Sequence, residues 1–342
     1  MALIEVENLR KSFRVAVRRS GPFGALRTLV AREYRLVDAV DGVSFQLAAG
    51  EMVGYIGPNG AGKSTTIKML TGILVPSSGR LVVDGRIPYR QRVEHVRRIG
   101  VVFGQRTQLW WDLPTIESFE LLRHIYRIPE PRWRENLARF TELLDLTPFI
   151  ETPVRQLSLG QRLRADLTAA LLHEPAILFL DEPTIGLDVV AKERIRQFLT
   201  HINRERGVTV ILTTHDLEDI SRLCSRVILI DHGNVIYDGA LEALRTRFGQ
   251  QRTLVVDLDQ DPQDIVVPNA ELVRREGPRA WLRFDRETTT AAALIADVAS
   301  RYRIRDLTVE EPEIETILRD IYQAGSVGEL NRQDAKDAKT NL

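Results

Sequence analysis

The run IGPNGAGKSTT, Ile56 to Thr66, sets glycines, a lysine and a hydroxyl at the spacing that phosphate chemistry requires. Gly57, Gly60 and Gly62 let the backbone curl until consecutive N–H groups point at phosphate oxygens. Pro58, Asn59 and Ala61 complete the loop, and Lys63, Ser64 and Thr65 follow it in the pattern G-x-x-x-x-G-K-[ST]. An apolar strand precedes the loop and a helix follows, so the helix N-terminal dipole adds to the anion site. The Lys63 ammonium is placed to neutralise the β- and γ-phosphates of a nucleotide, and the Ser64 hydroxyl to ligate Mg2+.

A second stretch, AILFLDEPT, ends an apolar run on two carboxylates, Asp181 and Glu182. At the C-terminal edge of a buried strand, where open α/β sheets bind ligands, Asp181 is expected to hold the hydration shell of the Mg2+. Glu182 is expected to polarise a water for attack on the γ-phosphate, a general-base role worth roughly 10²–10⁴-fold in rate. A third stretch, RQLSLGQRLRAD from Arg155 to Asp166, also suits an anion: Ser158 offers a hydroxyl and Gly160 a bare amide ahead of a helix. One chain therefore carries two sets of phosphate-binding residues. A helix N-cap is the plainer role for Ser158, and the two are compatible.

These groups need a sheet to hold them. MVGYIG, IGVVFG, AILFLDE, VTVILTT and RVILID read as buried strands, each followed by turn residues or a helical pattern. That alternation predicts a largely parallel sheet with helices on its faces, an α/β fold. Residues 115–175 break the rhythm with three amphipathic stretches, so a helical subdomain is expected between two core strands. A second insertion, about 14–37, carries Arg14, Arg18, Arg19, Arg27, Arg32 and Arg35 against Glu33 alone, interleaved with Phe23, Leu26, Leu29 and Val30. It suits either a solvated excursion or an amphipathic segment at an anionic surface. After residue 240 the pattern changes to a small α+β domain over about 250–322, followed by a polar tail, 324–342, expected to be disordered.

Formal net charge is zero, with 47 Lys and Arg against 47 Asp and Glu, so nothing in the balance asks for nucleic acid. At 44% hydrophobic residues in 342, the chain can build a sizeable core. No apolar run reaches the roughly 18–20 residues of a membrane helix, and MALIEVENLR lacks the features of a signal peptide, so a cytoplasmic protein is expected. The one cysteine, Cys224, excludes an internal disulfide and reads as a core thiol. The histidines show no metal-ligand spacing.

In order along the chain, GPNGAGKST, LSLGQ, ILFLDEPT, GLD and LTTHD strongly resemble the ATP-binding subunits of ABC transporters, over roughly residues 3–240. The likeness is greatest to ABC-2 type systems, most of which export. It implies a P-loop ATPase domain over 1–240 that binds ATP and Mg2+, sandwiches the nucleotide between two such domains and drives separate membrane permease subunits. LSLGQ is then the signature motif: Ser158 and Gly160 would meet the γ-phosphate of ATP held by the phosphate loop of a second subunit. The family usually has glycine at the position of Leu159. By the same resemblance Gln105 contacts Mg2+ and water, Asp188 in GLD crosses the dimer interface, and His215 contacts the γ-phosphate and positions the water. Phe13 in RKSF would stack on adenine, with Tyr34 as a competitor.

The runner-up is a soluble ABC ATPase acting on nucleic acid or ribosomes. Chromosome and repair ATPases of that type insert long coiled coils between phosphate loop and Asp-Glu strand. No sustained heptads occur in that interval here. In RTQLWWDLP, just after Gln105, Trp110 and Trp111 are expected either to pack into the helical subdomain or to anchor a permease helix. The C-terminal domain is expected to regulate or stabilise the dimer.

Overall fold

The computed structural model describes residues 2–16, 34–104, 106–248, 251–262, 264–312 and 314–325. Gln105, the centre of the basic insertion and the tail from 326 lie outside these residues. The chain divides into two compact units, Met1–Gly239 and Ala240–Leu342.

The first unit holds a three-stranded and a six-stranded sheet. The former has the order β2-β1-β4, where β1 (Ile4–Ala16) pairs antiparallel with both β2 (Tyr34–Leu47) and β4 (Ser78–Val83). The two ends of the stretch expected as a basic insertion, 14–16 and 34–37, instead extend the ladder: Arg14 faces Leu36 and Ala16 faces Tyr34. The larger sheet has the order β5-β6-β7-β3-β8-β9, formed by β3 (Met52–Ile56), β5 (Ile99–Phe103), β6 (Ile177–Asp181), β7 (Thr209–Thr213), β8 (Arg226–Asp231) and β9 (Asn234–Ala240). Strands β5, β6, β7, β3 and β8 run parallel, as their continuous apolar sequences require. Helix α1 (Lys63–Leu70) buries Ile67, Met69 and Leu70 in a core that also takes Ile4 and Val43 from the small sheet and Tyr55 and Ile228 from the large one.

The short α2 (Arg92–Val96) precedes β5, and between β5 and β6 come α3 (Thr115–Tyr126), α4 (Glu130–Leu144) and α5 (Leu159–Leu171). Phe119 on α3, Phe140 and Leu144 on α4 and Leu163 on α5 are all buried. Helix α5 lies hard against β5. A Cβ at Gly100 would come within 2.4 Å of the Ala170 carbonyl oxygen, so only glycine permits this approach. Helix α6 (Val189–Arg206) precedes β7, and α7 (Leu217–Leu223) follows it.

Trp110 and Trp111 do not enter the subdomain core: they remain 39% and 51% exposed. The reason is local. The backbone N–H of Trp110 donates to the buried Ser118 Oγ, while the Trp111 carbonyl accepts from the Arg155 N–H, so the segment is held by its main chain with its rings outward. Cys224 is buried, and desolvation raises its thiol pKa well above the usual value. Among the described residues, no helix is long and apolar enough to cross a membrane and no cluster could hold a metal by His, Cys, Asp and Glu alone.

In the second unit, α8 (Leu241–Phe248) is followed by a four-stranded sheet of order β11-β12-β10-β13: β10 (Gln251–Leu258), β11 (Glu271–Glu276), β12 (Arg279–Asp285) and β13 (Ile304–Glu310). Helix α9 (Ala291–Arg301) buries Leu294 and Val298 with Leu254, Leu282 and Phe284 of the sheet. Helix α10 (Ile314–Gly325) closes the described chain and includes Ala324 and Gly325 of the polar tail.

Candidate functional site

The phosphate loop connects β3 to α1. Gly60 and Gly62 have φ values of +86° and +102°, which side chains disfavour, and a Cβ on Gly62 would lie 2.3 Å from the Ala39 carbonyl oxygen. Gly57 is equally constrained, because its Cβ would meet the Ile230 carbonyl at 2.4 Å. Gly57 and Gly62 are therefore fixed by packing, and Gly60 by its curvature alone. Lys63 is almost wholly buried and arches over its own loop, donating to the carbonyls of Gly57 at 2.6 Å and Pro58 at 3.1 Å. Burial lowers its pKa, and the negative charges of Glu182 and Asp181 act against that shift.

Three strand ends meet this loop. The Ser64 hydroxyl lies 3.3 Å from Asp181 Oδ1, and the same oxygen accepts from Thr213 Oγ1 at 2.6 Å. Thr213 was not singled out from sequence, although it sits in LTTHD two residues before His215. Its register opposite Asp181 on β6 and β7 is what makes it a partner. Glu182 adopts a left-handed conformation, φ +53°, unusual for a residue with a side chain. It is held there by its N–H, which donates to the Thr213 carbonyl at 2.9 Å. Gly104 was also missed. A Cβ there would stand 2.0 Å from the Glu182 carbonyl oxygen, so the chain leaving β5 passes the Glu182 backbone only because Gly104 has none. His215 brings Nδ1 to 3.4 Å from Glu182 Oε2. Ser64, Asp181, Glu182 and His215 line one cleft of about 780 Å³, with Gly104 and Arg106 on its wall.

Ser158, Gly160 and Asp188 gather in a different depression. Ser158 caps α5: its Oγ accepts from Gln161 N at 3.2 Å, and Gln161 Oε1 accepts from Ser158 N at 2.9 Å, a reciprocal capping box. Asp188 caps α6 through Ala191 N at 2.8 Å. Leu159 is accommodated by another glycine: its Cδ2 would lie only 3.0 Å from a Cβ on Gly186. A leucine fits beside the cap because the facing loop lacks a side chain there.

Phe13, 36% exposed, sits opposite Val37 in the small sheet, with the Lys11 ammonium 5.3 Å from its ring centre. Tyr34 lies further along the same ladder, opposite Ala16. Gln105 lies outside the described residues.

A parallel sheet whose strand ends present a glycine loop with a buried lysine beside a serine and two carboxylates defines a P-loop nucleoside triphosphatase. The family profile described as ABC transporter matches residues 40–185. NatA, an ABC transporter ATP-binding protein of Bacillus subtilis, is 35% identical over 210 residues, which cover 61% of this chain and 85% of that protein. A Nod factor export ATP-binding protein I of Cupriavidus metallidurans is 32% identical, covering 80% of this chain and 90% of that protein. Among solved structures, the dimeric post-hydrolysis state of the ATP-binding cassette MJ0796 with ADP and Pi superposes with a TM-score of 0.58 at 27% identity, over 70% of this chain and 98% of that one. The chain belongs to the ATP-binding subunits of ABC transporters, and its activity is ATP hydrolysis coupled to transport.

Proposed function

We propose that two copies of this chain close head to tail around ATP and drive an ABC-2 type permease in the direction of export, docked at the inner face of the cell membrane. The observation that carries the reading is the division of anion-binding residues between two clefts: Lys63, Ser64, Asp181, Glu182 and His215 serve one, Ser158, Gly160 and Asp188 the other. Pairing two chains would put the capped N-terminus of α5 from one copy against the γ-phosphate bound by the other, where its free N–H groups and dipole favour negative charge. Export is favoured by a relative whose name states it, Nod factor export ATP-binding protein I, and fits the linearmycin resistance ATP-binding protein LnrL of Bacillus subtilis, 29% identical over 84% of this chain.

In this reading Lys63 leaves its loop carbonyls for the β- and γ-phosphate oxygens, and the backbone N–H groups from Asn59 to Thr65 cradle the rest. The Glu182 carboxylate takes the proton of the attacking water, and His215 orients that water and contacts the γ-phosphate. Phe13 stacks on the base. The donor set fits Mg2+: a hydroxyl at Ser64 and a carboxylate at Asp181 converge at 3.3 Å, both hard oxygen ligands. Gln105 would complete that set. When bound, the ion would offset phosphate charge. Asp181 is held in place for this by Thr213.

Mixing two inactive chains tests the shared site. One carries Lys63→Ala and the other Ser158→Arg, so a mixed dimer keeps one intact composite site. Partial return of ATP hydrolysis over either variant alone is expected. No return, with mixed dimers demonstrated by differential tagging, overturns the arrangement in trans. Co-purification with multi-spanning permeases tests the partner.

A further inference from the structure

Asp166 is a carboxylate in the middle of α5, 5% exposed, with no part in the chemistry described above. Its Oδ1 accepts from Thr107 Oγ1 at 2.8 Å and from the Gln108 backbone N–H at 3.1 Å. The Gln108 side-chain amide returns a bond, donating to the Asp166 carbonyl oxygen at 3.0 Å. Thr107 Oγ1 in turn accepts from Leu109 N at 3.1 Å. Thr107 and Gln108 belong to the segment that leaves β5 and forms the cleft wall at Gly104 and Arg106. Asp166 belongs to the helix capped by Ser158, roughly 12 Å away along the axis at 1.5 Å per residue.

Two further contacts tie the same segment to the same helix region. The Arg155 N–H donates to the Trp111 carbonyl at 3.0 Å, and the Arg162 guanidinium lies 6.0 Å from the Trp111 ring centre. Below them, the close approach of Ala170 to Gly100 presses α5 on β5 itself. A buried carboxylate is costly to retain. An aliphatic residue would suit a helix packed on a strand, so the charge argues for a role in fixing the neighbouring loop. Burial does push the Asp166 pKa up, to about 6, while Thr107, the Gln108 amide and Arg162 oppose that shift.

We propose that Asp166 is a positioning residue for ATP hydrolysis: it latches the chain leaving β5 to the signature helix, so that the wall of one half-site and the Ser158 cap of the other move as one piece. The latch rests on the composite-site reading given above, because only there do both clefts act on nucleotide at once. Along this path, a shift of the cleft wall at Gly104 and Arg106 is carried through Thr107 and Gln108 to Asp166 and down α5 to Ser158. Asp166 touches neither nucleotide nor water. Its effect is to hold the orientation of groups that do.

The test uses the full chain with three variants. Asp166→Ala removes the acceptor, Thr107→Val removes a donor at similar volume, and Asp166→Asn keeps an acceptor oxygen for both bonds. The readouts are ATP bound per chain, turnover per bound ATP, and ATP-dependent dimer formation in a Glu182→Gln background. Asp166→Ala and Thr107→Val are expected to lower turnover per bound ATP by about tenfold with half-saturation changed less than about twofold, the pattern of a lost transition-state contribution. Their combination should add little to either alone. Asp166→Asn should stay within about twofold of the native chain. Normal turnover per bound ATP in Asp166→Ala, or fully multiplicative losses in the double variant, overturns the latch. Should Asp166→Ala fail to fold, Thr107→Val decides: unchanged turnover there is equally fatal. A Glu182→Gln chain with native Asp166 that binds ATP yet stays monomeric overturns the composite site instead, and turnover per bound ATP still judges the latch.

Discussion

Glu182 Oε2 stands 3.4 Å from His215 Nδ1, with the Glu182 backbone in the left-handed region and the imidazole largely open to the cleft. The two side chains arrive from neighbouring strands, β6 and β7, whose parallel register sets Asp181 against Thr213. Glu182→Gln should therefore retain ATP binding and lower hydrolysis by roughly 10²–10⁴-fold, since an amide does not take the water's proton. His215→Ala should lower turnover with binding less affected. Single-turnover hydrolysis and equilibrium ATP binding measure both effects; near-native turnover in Glu182→Gln would remove the general-base role.

The buried charge of Asp166 has a signature in stability. Its folded pKa, about 6, lies above the ordinary 3.8, so the folded state binds its proton more tightly than the unfolded chain does. The resulting stabilisation is fully present below pH 3.8 and is lost as pH rises through 6. At neutral pH the ionised carboxylate thus costs on the order of 2–3 kcal/mol relative to a neutral side chain of the same shape. Asp166→Asn should raise the midpoint of urea unfolding at pH 8 and bring little change at pH 4. An equal midpoint difference at both values would contradict the burial argument.

Arg196 and Asp219 form a buried ion pair, Nε to Oδ1 at 2.7 Å, with Asp219 wholly inaccessible and its other oxygen taken by the Thr184 hydroxyl. The pair joins α6 and α7 to the segment just after Glu182. Arg196→Met leaves the Asp219 charge buried without its cation, and a loss of about 3–5 kcal/mol is expected. Replacing both, Arg196→Met with Asp219→Leu, should recover much of it, because desolvation offsets most of the attraction in such pairs. Denaturant unfolding of the two variants checks the sign; a double variant weaker than the single one would count against it.

Trp110 and Trp111 keep too much surface in water to act as core residues. Trp110→Ala and Trp111→Ala should each lower stability by only about 1–2 kcal/mol, below the 3–5 kcal/mol of a buried aromatic. If either ring anchors a permease helix, its loss weakens complex formation more than it weakens the isolated subunit. A destabilisation above about 3 kcal/mol in thermal unfolding would put the ring back in the core.

Much of the site is legible because its chemistry is local in sequence. The loop that curls around phosphate is one short run, Gly57 to Ser64, and its glycines announce the curl. The carboxylates Asp181 and Glu182 follow an apolar run whose composition already makes it a buried strand. Serine three residues before Gln161 is a helix-start signal as well as a ligand signal, and Ser158 does cap α5.

What remained hidden are partners brought together from distant parts of the chain. Thr213 supports Asp181 only because β6 and β7 are neighbours in register. Gly104 matters only because the Glu182 carbonyl passes within 2.0 Å of where its Cβ would be. Leu159 departs from the family pattern without a clash because Gly186 faces it. Asp166, which carries no motif of its own, is buried against Thr107 and Gln108. Which groups can do chemistry is written locally, since periodicity and short-range spacing dictate strands, loops and helix starts. Tertiary structure alone decided which groups support them, because hydrogen bonds and close backbone approaches depend on packing between segments that lie far apart along the chain.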